Sequence, residues 1–344
     1  MHDSEFHEIE KVLENNFTIE NHKGYNLYSG ISKKFNRSVS IKVISDIFNQ
    51  FYGPKKIIRE LQIYSQLNHE NISNLINLKF KTHFNKPDSI FITSELLDTT
   101  LYKIILSNQE LTEDHRRFFI YQILRALKYL HSANIIHKNI RPDNILLSAN
   151  CDLKLQILFF QDFQPTNGTM IDRWYRSPEQ LFFSESVSFP TDIWSVGCIF
   201  YEIIMRRPLF PGNSWLPYQL NTIINTIGSP EDDDLYYLTN KRYIDLMSRF
   251  QKVDKVNFSE LVTKASKDEI DLIEQMLMWN PSKRISVDEA LKHSYFEDLH
   301  DLSDEPTTSP IEPLNINIDE NNKTEMKKCV ESEIKKICEN HNFI

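Results

Sequence analysis

The apolar period of this chain changes once, near Glu95 to Asp98, and that change fixes two halves of different construction. Ahead of it the runs are short. Val39, Ile41 and Val43 alternate with Ser40 and Lys42, the period of a half-buried strand. Ser89 to Thr93, rich in β-branched and aromatic residues, reads as another strand. A helix is predicted over Lys55–Leu67, with Ile57, Leu61 and Tyr64 at helical spacing and Glu60 on the same inward face. Beyond Asp98 the period is helical. Ile120, Ile123, Leu124, Leu127 and His131 mark a long amphipathic helix, and Ile193 to Met205 is apolar on all sides, as a helix inside a large core must be.

The expected fold class is therefore α+β and bilobal, with a small β-rich lobe over 17–97 and a larger helical lobe over 98–299. A cleft between such lobes is the usual place for a ligand. Residues 1–16 read as an N-terminal extension and 300–344 as a tail. In the tail, the Pro-rich link Pro306 to Pro313 precedes Met326, Val330, Ile334 and Ile337 at helical spacing, which predicts a helix that docks back on the body.

Composition narrows function. A formal charge of -9 argues against nucleic-acid binding and suits basic peptide partners. The start, Met1-His2-Asp3-Ser4-Glu5, does not resemble a secretory leader, and Ser195 to Met205 is too short to cross a bilayer. The expectation is an intracellular protein without a membrane partner, cytoplasmic, with the nucleus open as a second compartment. Cys151, Cys198, Cys329 and Cys338 show no CxxC pair and no histidines at zinc spacing, and are expected to be reduced thiols. The seven glycines include no two separated by a single residue, which excludes a G-x-G phosphate cradle.

An ordered series of motifs runs through the second half. Tyr121-Gln-Ile-Leu-Arg-Ala-Leu-Lys-Tyr-Leu-His-Ser-Ala-Asn leads into His137-Lys-Asn-Ile-Arg-Pro-Asp-Asn144. Arg173-Trp-Tyr-Arg-Ser-Pro-Glu179, Asp192-Ile-Trp-Ser-Val-Gly197, Gly228-Ser-Pro230, Asn280-Pro-Ser-Lys-Arg284 and Ser303-Asp-Glu-Pro306 follow in order. Together they resemble a eukaryotic protein kinase of the MAP-kinase type, related to the extracellular-signal-regulated kinases, over about Ile19 to Ile337.

That resemblance implies that Glu179 pairs with Arg284 and that Asp192 holds the catalytic-loop backbone. Val39-Ser-Ile-Lys42 resembles the V-A-I-K strand, whose lysine contacts phosphates and pairs with a helix glutamate, here Glu60. The pair can equally be architectural. Ser94 falls at the gatekeeper position, Glu95 to Leu97 at the adenine hinge, and Leu146 on the nucleotide side. A small Ser94 leaves either an open pocket behind it or core space filled by Tyr64.

The departures concentrate where phosphate, metal and proton are handled. Glu20 and His22 stand at the first two loop glycines and Tyr25 at the third, with Gly24 one residue off, so ATP affinity is expected to be weak. Asn139 replaces the catalytic aspartate and Arg141 the loop lysine. Asn144 remains as a metal ligand, but Ile157 replaces the D-F-G aspartate, so magnesium binding is expected to be weak or absent. Leu158 can keep the packing role of the next residue. Reading Asp162-Phe163-Gln164 as a shifted motif needs an insertion and an unusually short activation segment. Asn167-Gly168-Thr169 replaces the T-x-Y pair, and Asp172, in place of a threonine, is a candidate partner for Arg141.

Partner features survive. Asp301, Asp304 and Glu305 fall on the family's acidic docking patch, which would attract signalling proteins carrying basic-hydrophobic motifs; the alternative is a solvated acidic turn. Arg173 to Arg176 matches a loop that shapes a pocket for Ser/Thr-Pro peptides, or else supplies core aromatics. Three functions follow in order: a pseudokinase docking scaffold, a proline-directed Ser/Thr kinase with residual transfer, and a metal-independent ATP-binding switch.

Overall fold

A computed structural model describes residues 2–24, 26–49, 53–83, 87–157, 173–182, 187–213, 215–312, 315–319 and 322–341. The chain divides into two compact units, one formed by Met1–Asp98 with Ile311–Ile344 and the other by Thr99–Pro310.

The first unit opens with helix α1 (His2–Val12), followed by strands β1 (Phe17–Gly24), β2 (Leu27–Ser32) and β3 (Arg37–Ile44), helix α2 (Gly53–Gln66), and strands β4 (Leu75–His83) and β5 (Pro87–Glu95). The sheet has the order β1-β2-β3-β5-β4, antiparallel throughout. Its register sorts side chains by face. Tyr28 lies opposite Ile41 and Val43 opposite Phe91, while Ser40 meets Ser94 and Lys42 meets Ile92 on the other face.

Helix α1 covers the first of these faces. Ile9 and Leu13 are fully buried in one cluster with Phe17, Ile19, Tyr28, Val39, Ile41, Val43 and Phe91. Helix α1 and Leu13 thus contribute to the core, and Phe6, Ile9 and Leu13 at spacings of three and four carry the signal for it. Polar contacts fasten both ends. Glu10 Oε1 accepts the Ile19 N–H at 2.8 Å, Glu5 accepts the Tyr28 hydroxyl at 2.8 Å, and Lys79 pairs with Glu14.

The second unit continues with β6 (Thr99–Thr100), α3 (Leu101–Leu106), α4 (Glu113–Ser132), β7 (Ile145–Leu147), β8 (Leu153–Leu155), α5 (Pro178–Leu181) and α6 (Pro190–Met205). Helices α7 (Leu216–Ile227), α8 (Lys241–Met247), α9 (Phe258–Leu261), α10 (Lys267–Met276) and α11 (Val287–Leu291) complete it. Helix α6 is buried from Thr191 to Ile204, which explains its all-round apolar sequence. Gly197 permits the approach of α10, since a Cβ there would stand 2.9 Å from Met276 Cβ.

The tail divides within its Pro-rich link: Pro310 closes the second unit and Ile311 returns to the first. There α12 (Lys323–His341) packs on α2 and β4 through Met326, Val330, Ile334 and Ile337. Lys327 pairs with Asp88 at 2.7 Å, and Cys338 Sγ donates to the Leu78 carbonyl at 3.2 Å. Covering β4 protects the edge of the sheet.

Candidate functional site

In the sheet unit, Lys42 is half-buried and shares its face with Ser40, Ile92 and Ser94. Glu60 is also half-buried on α2, with Oε1 3.8 Å from Lys56 Nζ one turn back. Tyr64 projects from the same helix; its hydroxyl lies 3.3 Å from Ser73 Oγ and beside Ser94, and burial pushes its pKa up to about 12. Tyr64 therefore occupies the space beside Ser94, the second of the two readings of that position. At the hinge, the Glu95 N–H donates to the Asn74 carbonyl at 3.0 Å and the Leu96 N–H to the Ser38 carbonyl at 3.3 Å. Leu97 is half-buried, and its N–H meets no acceptor among the described residues.

The β1–β2 hairpin is built for its own packing. The register slips between Ile19 and Asn21, leaving Glu20 at the bulge, exposed. His22 stacks on Tyr28 with ring centroids 4.9 Å apart. Gly30 is required by β1, because a Cβ would stand 2.1 Å from the Thr18 carbonyl oxygen.

In the helical unit, the segment after α4 is organised by Asp192. This fully buried carboxylate accepts the N–H groups of His137 at 2.9 Å and Lys138 at 2.8 Å, and His131 Nε2 lies 2.9 Å from it. These bonds hold Lys138 at φ 66°, the left-handed region that side chains disfavour. Burial lowers the His137 pKa, keeping the ring neutral: Nδ1 accepts the Asn139 N–H at 3.3 Å, and Nε2 donates to the Gln156 carbonyl at 3.2 Å. Asn144 Nδ2 donates to the Asn139 carbonyl at 3.0 Å, and the Gln156 N–H to the Asn144 carbonyl at 2.9 Å.

The loop thus forms a hydrogen-bonded scaffold that carries Asn139 and Arg141. Asn139 presents an amide, and Arg141 lies 3.8 Å from Asp143. Leu146 is buried in β7 opposite Thr100 and Lys154. Ile157 is only 2% exposed and its side chain offers no oxygen ligand. Tyr25, Leu158, the 162–164 and 167–169 segments and Asp172 lie outside the described residues.

Glu179 and Arg284 meet through two hydrogen bonds of 2.8 and 3.2 Å with both side chains fully buried, and Thr191 Oγ1 donates to the same carboxylate at 2.9 Å. Burial alone would raise the Glu179 pKa; the Arg284 charge and hydrogen bonds outweigh it and hold the carboxyl below its usual range. Trp174 Nε1 donates to the Gly212 carbonyl at 2.9 Å and the Tyr175 hydroxyl to Glu202 at 2.6 Å, so both aromatics are tied into the frame.

The acidic patch requires a correction. Glu305 is buried, bonded to Lys128 at 2.9 Å, His300 at 2.7 Å and the Tyr121 hydroxyl at 3.1 Å, so it is an internal anchor and cannot meet a partner. Asp304 is 58% exposed with one oxygen on Arg125, and Asp301 is exposed, accepting from Ser303. Sequence reasoning also missed a groove of about 360 Å³ framed by Trp215, Leu216, Arg242, Tyr243 and Leu246. Its walls come from separate helices, which no linear motif announces.

A five-stranded antiparallel sheet followed by a helical unit, with an aspartate-anchored loop and a buried Glu–Arg pair, defines a protein kinase fold. The family model described as "Protein kinase domain" matches residues 25–296, and the chain belongs to that family. Within it the chain is of the mitogen-activated protein kinase type. It is 41% identical over 306 residues to "Mitogen-activated protein kinase 5" of Oryza sativa subsp. indica, covering 86% of this chain and 81% of the relative. It is 42% identical over 281 residues to "Mitogen-activated protein kinase 13" of Arabidopsis thaliana, covering 79% and 76%. "Extracellular signal-regulated kinase 1" of Dictyostelium discoideum is 40% identical over 274 residues, 78% of this chain and 52% of that protein.

Proposed function

We propose that this chain is a MAP-kinase-type pseudokinase that works by binding, as a docking or scaffold component of a phosphorylation pathway in the cytoplasm or nucleus. The observation that carries the reading is Ile157, a buried hydrocarbon where the family pattern has its metal-binding aspartate. A hard cation needs oxygen ligands to offset its dehydration, and Asn144 leaves one amide oxygen for that task. Among the described residues the side-chain donor set does not fit magnesium. Asn139 adds a second deficit, since a positioned base contributes roughly 10²–10⁴-fold and an amide has no useful basicity. With Glu20 and His22 in the hairpin, ATP affinity is low. Exposed Asp301 and Asp304 suit signalling proteins with basic-hydrophobic motifs, and Arg173 to Arg176 suits Ser/Thr-Pro peptides.

The second reading is a Ser/Thr kinase with residual transfer, favoured by relatives named as kinases. Lys42 and the Leu97 N–H favour the third, an ATP-binding switch without metal. Thermal shift with ATP, with and without magnesium, together with radiolabel transfer to Ser/Thr-Pro peptides, separates the three. Transfer that disappears in Lys42→Met overturns the pseudokinase reading. A magnesium-independent shift without transfer supports the switch, and at 100-fold excess over Kd it corresponds to about 2.7 kcal/mol.

A further inference from the structure

Three Ser-Pro dipeptides occur in the chain, at Ser177-Pro178, Ser229-Pro230 and Ser309-Pro310, and their surroundings differ. Ser177 is fully buried at the start of α5. Ser229 is half-buried; its Oγ accepts the Val253 N–H at 2.9 Å and lies 3.5 Å from the Gln251 carbonyl. Ser309 is exposed in 306–312, a stretch with neither helix nor strand, and its hydroxyl has no partner among the described residues.

Local chemistry adds to accessibility. Proline removes a backbone donor and fixes its own φ, while it biases the residue before it, here Ser309, towards an extended backbone. The nearest fastening is one hydrogen bond, from the Thr308 N–H to Ser132 Oγ at 2.9 Å. A single such bond contributes about 1 kcal/mol, little resistance to the segment entering another protein's active site.

We propose that Ser309 is a phosphorylation site for a proline-directed protein kinase. Ser309 Oγ attacks the γ-phosphorus of a nucleoside triphosphate. The Oγ–P bond forms, the bridging P–O bond breaks with its electrons leaving on the nucleoside diphosphate, and the hydroxyl proton passes to the base of the modifying kinase. The product adds about -1.5 to -2 charges to a stretch of sequence that already carries exposed Asp301 and Asp304, and so raises its attraction for basic partners. The proposal does not depend on whether this chain transfers phosphate itself.

The test is incubation of the intact chain with an activated proline-directed kinase and radiolabelled ATP, followed by mass-spectrometric mapping. Label is expected on Ser309, lost in Ser309→Ala and in Pro310→Ala, and absent from Ser177 and Ser229 while the protein is folded. Label that persists in Ser309→Ala overturns the proposal. So does an unlabelled Ser309 when the same kinase modifies a Ser-Pro peptide standard. Circular dichroism of the exposed-site variants, expected to match the native chain, keeps misfolding from producing the loss.

Discussion

Replacing Glu202 by glutamine should remove a stability loss that the native chain suffers on going from acid to neutral pH. Burial inside α6 pushes the Glu202 pKa from 4.5 to about 7; the Tyr175 hydroxyl partly opposes this and Asp143 adds to it. The sign follows from linkage. Because the folded pKa is the higher one, the native state binds more protons than the unfolded chain between pH 4.5 and 7, so this group favours folding below that window and loses its contribution as pH rises through it. The difference, 7 minus 4.5, at about 1.4 kcal/mol per pH unit, gives about 3 kcal/mol in order of magnitude. Glutamine does not titrate, yet its Oε1 can still accept the Tyr175 hydroxyl. The assay is urea unfolding of both proteins from pH 4.5 to 8, followed by tryptophan fluorescence, since all four tryptophans, Trp174, Trp194, Trp215 and Trp279, lie in the helical unit with Glu202. Stability of the native chain minus that of Glu202→Gln should fall through the window and level off near pH 7. A flat difference would refute the reasoning.

Four further variants have defined outcomes. Arg284→Met leaves the Glu179 carboxylate buried without its cation and should cost about 3–5 kcal/mol in the same unfolding assay. Leu13→Ala, in the core beneath α1, should cost about 2–5 kcal/mol and speed hydrogen exchange at the Ile19 amide, which Glu10 holds. Glu305→Gln should lower the melting temperature because Lys128 loses its buried partner, whereas Asp301→Lys, which removes only an exposed cap on Ser303, should lower it less and weaken binding of a basic docking peptide, more at low salt than at high.

Period alone made much of the architecture legible. β3, β5, α4, α6 and α12 stand where alternation or helical spacing puts them, because each buries one face or all of its surface. Segment 1–16 was harder to read: six acidic or basic side chains between Asp3 and Lys11 surround the Phe6, Ile9 and Leu13 stripe and make it look solvated. Three neighbouring acids also cannot be told apart in sequence. Glu305 turns inward because Lys128, Tyr121 and His300 converge on it, the first two about 180 residues away along the chain. The Glu179–Arg284 contact spans 105 residues, and only the family pattern made it predictable.

A preserved frame and the loss of chemistry proposed above are compatible because the two sets of residues are tied to folding in opposite ways. Asp192 has three donors around it and Glu179 has Arg284 and Thr191, all in a buried setting where removing one partner strands a charge. Any chain that needs this fold must keep them, whether or not it transfers phosphate. The residues that handle metal and proton carry no such obligation. A carboxylate at position 157 would need a cation to offset its desolvation, and Ile157 avoids that cost while filling the same buried space. Retention of the Asp192 and Glu179 networks therefore follows from folding as a kinase.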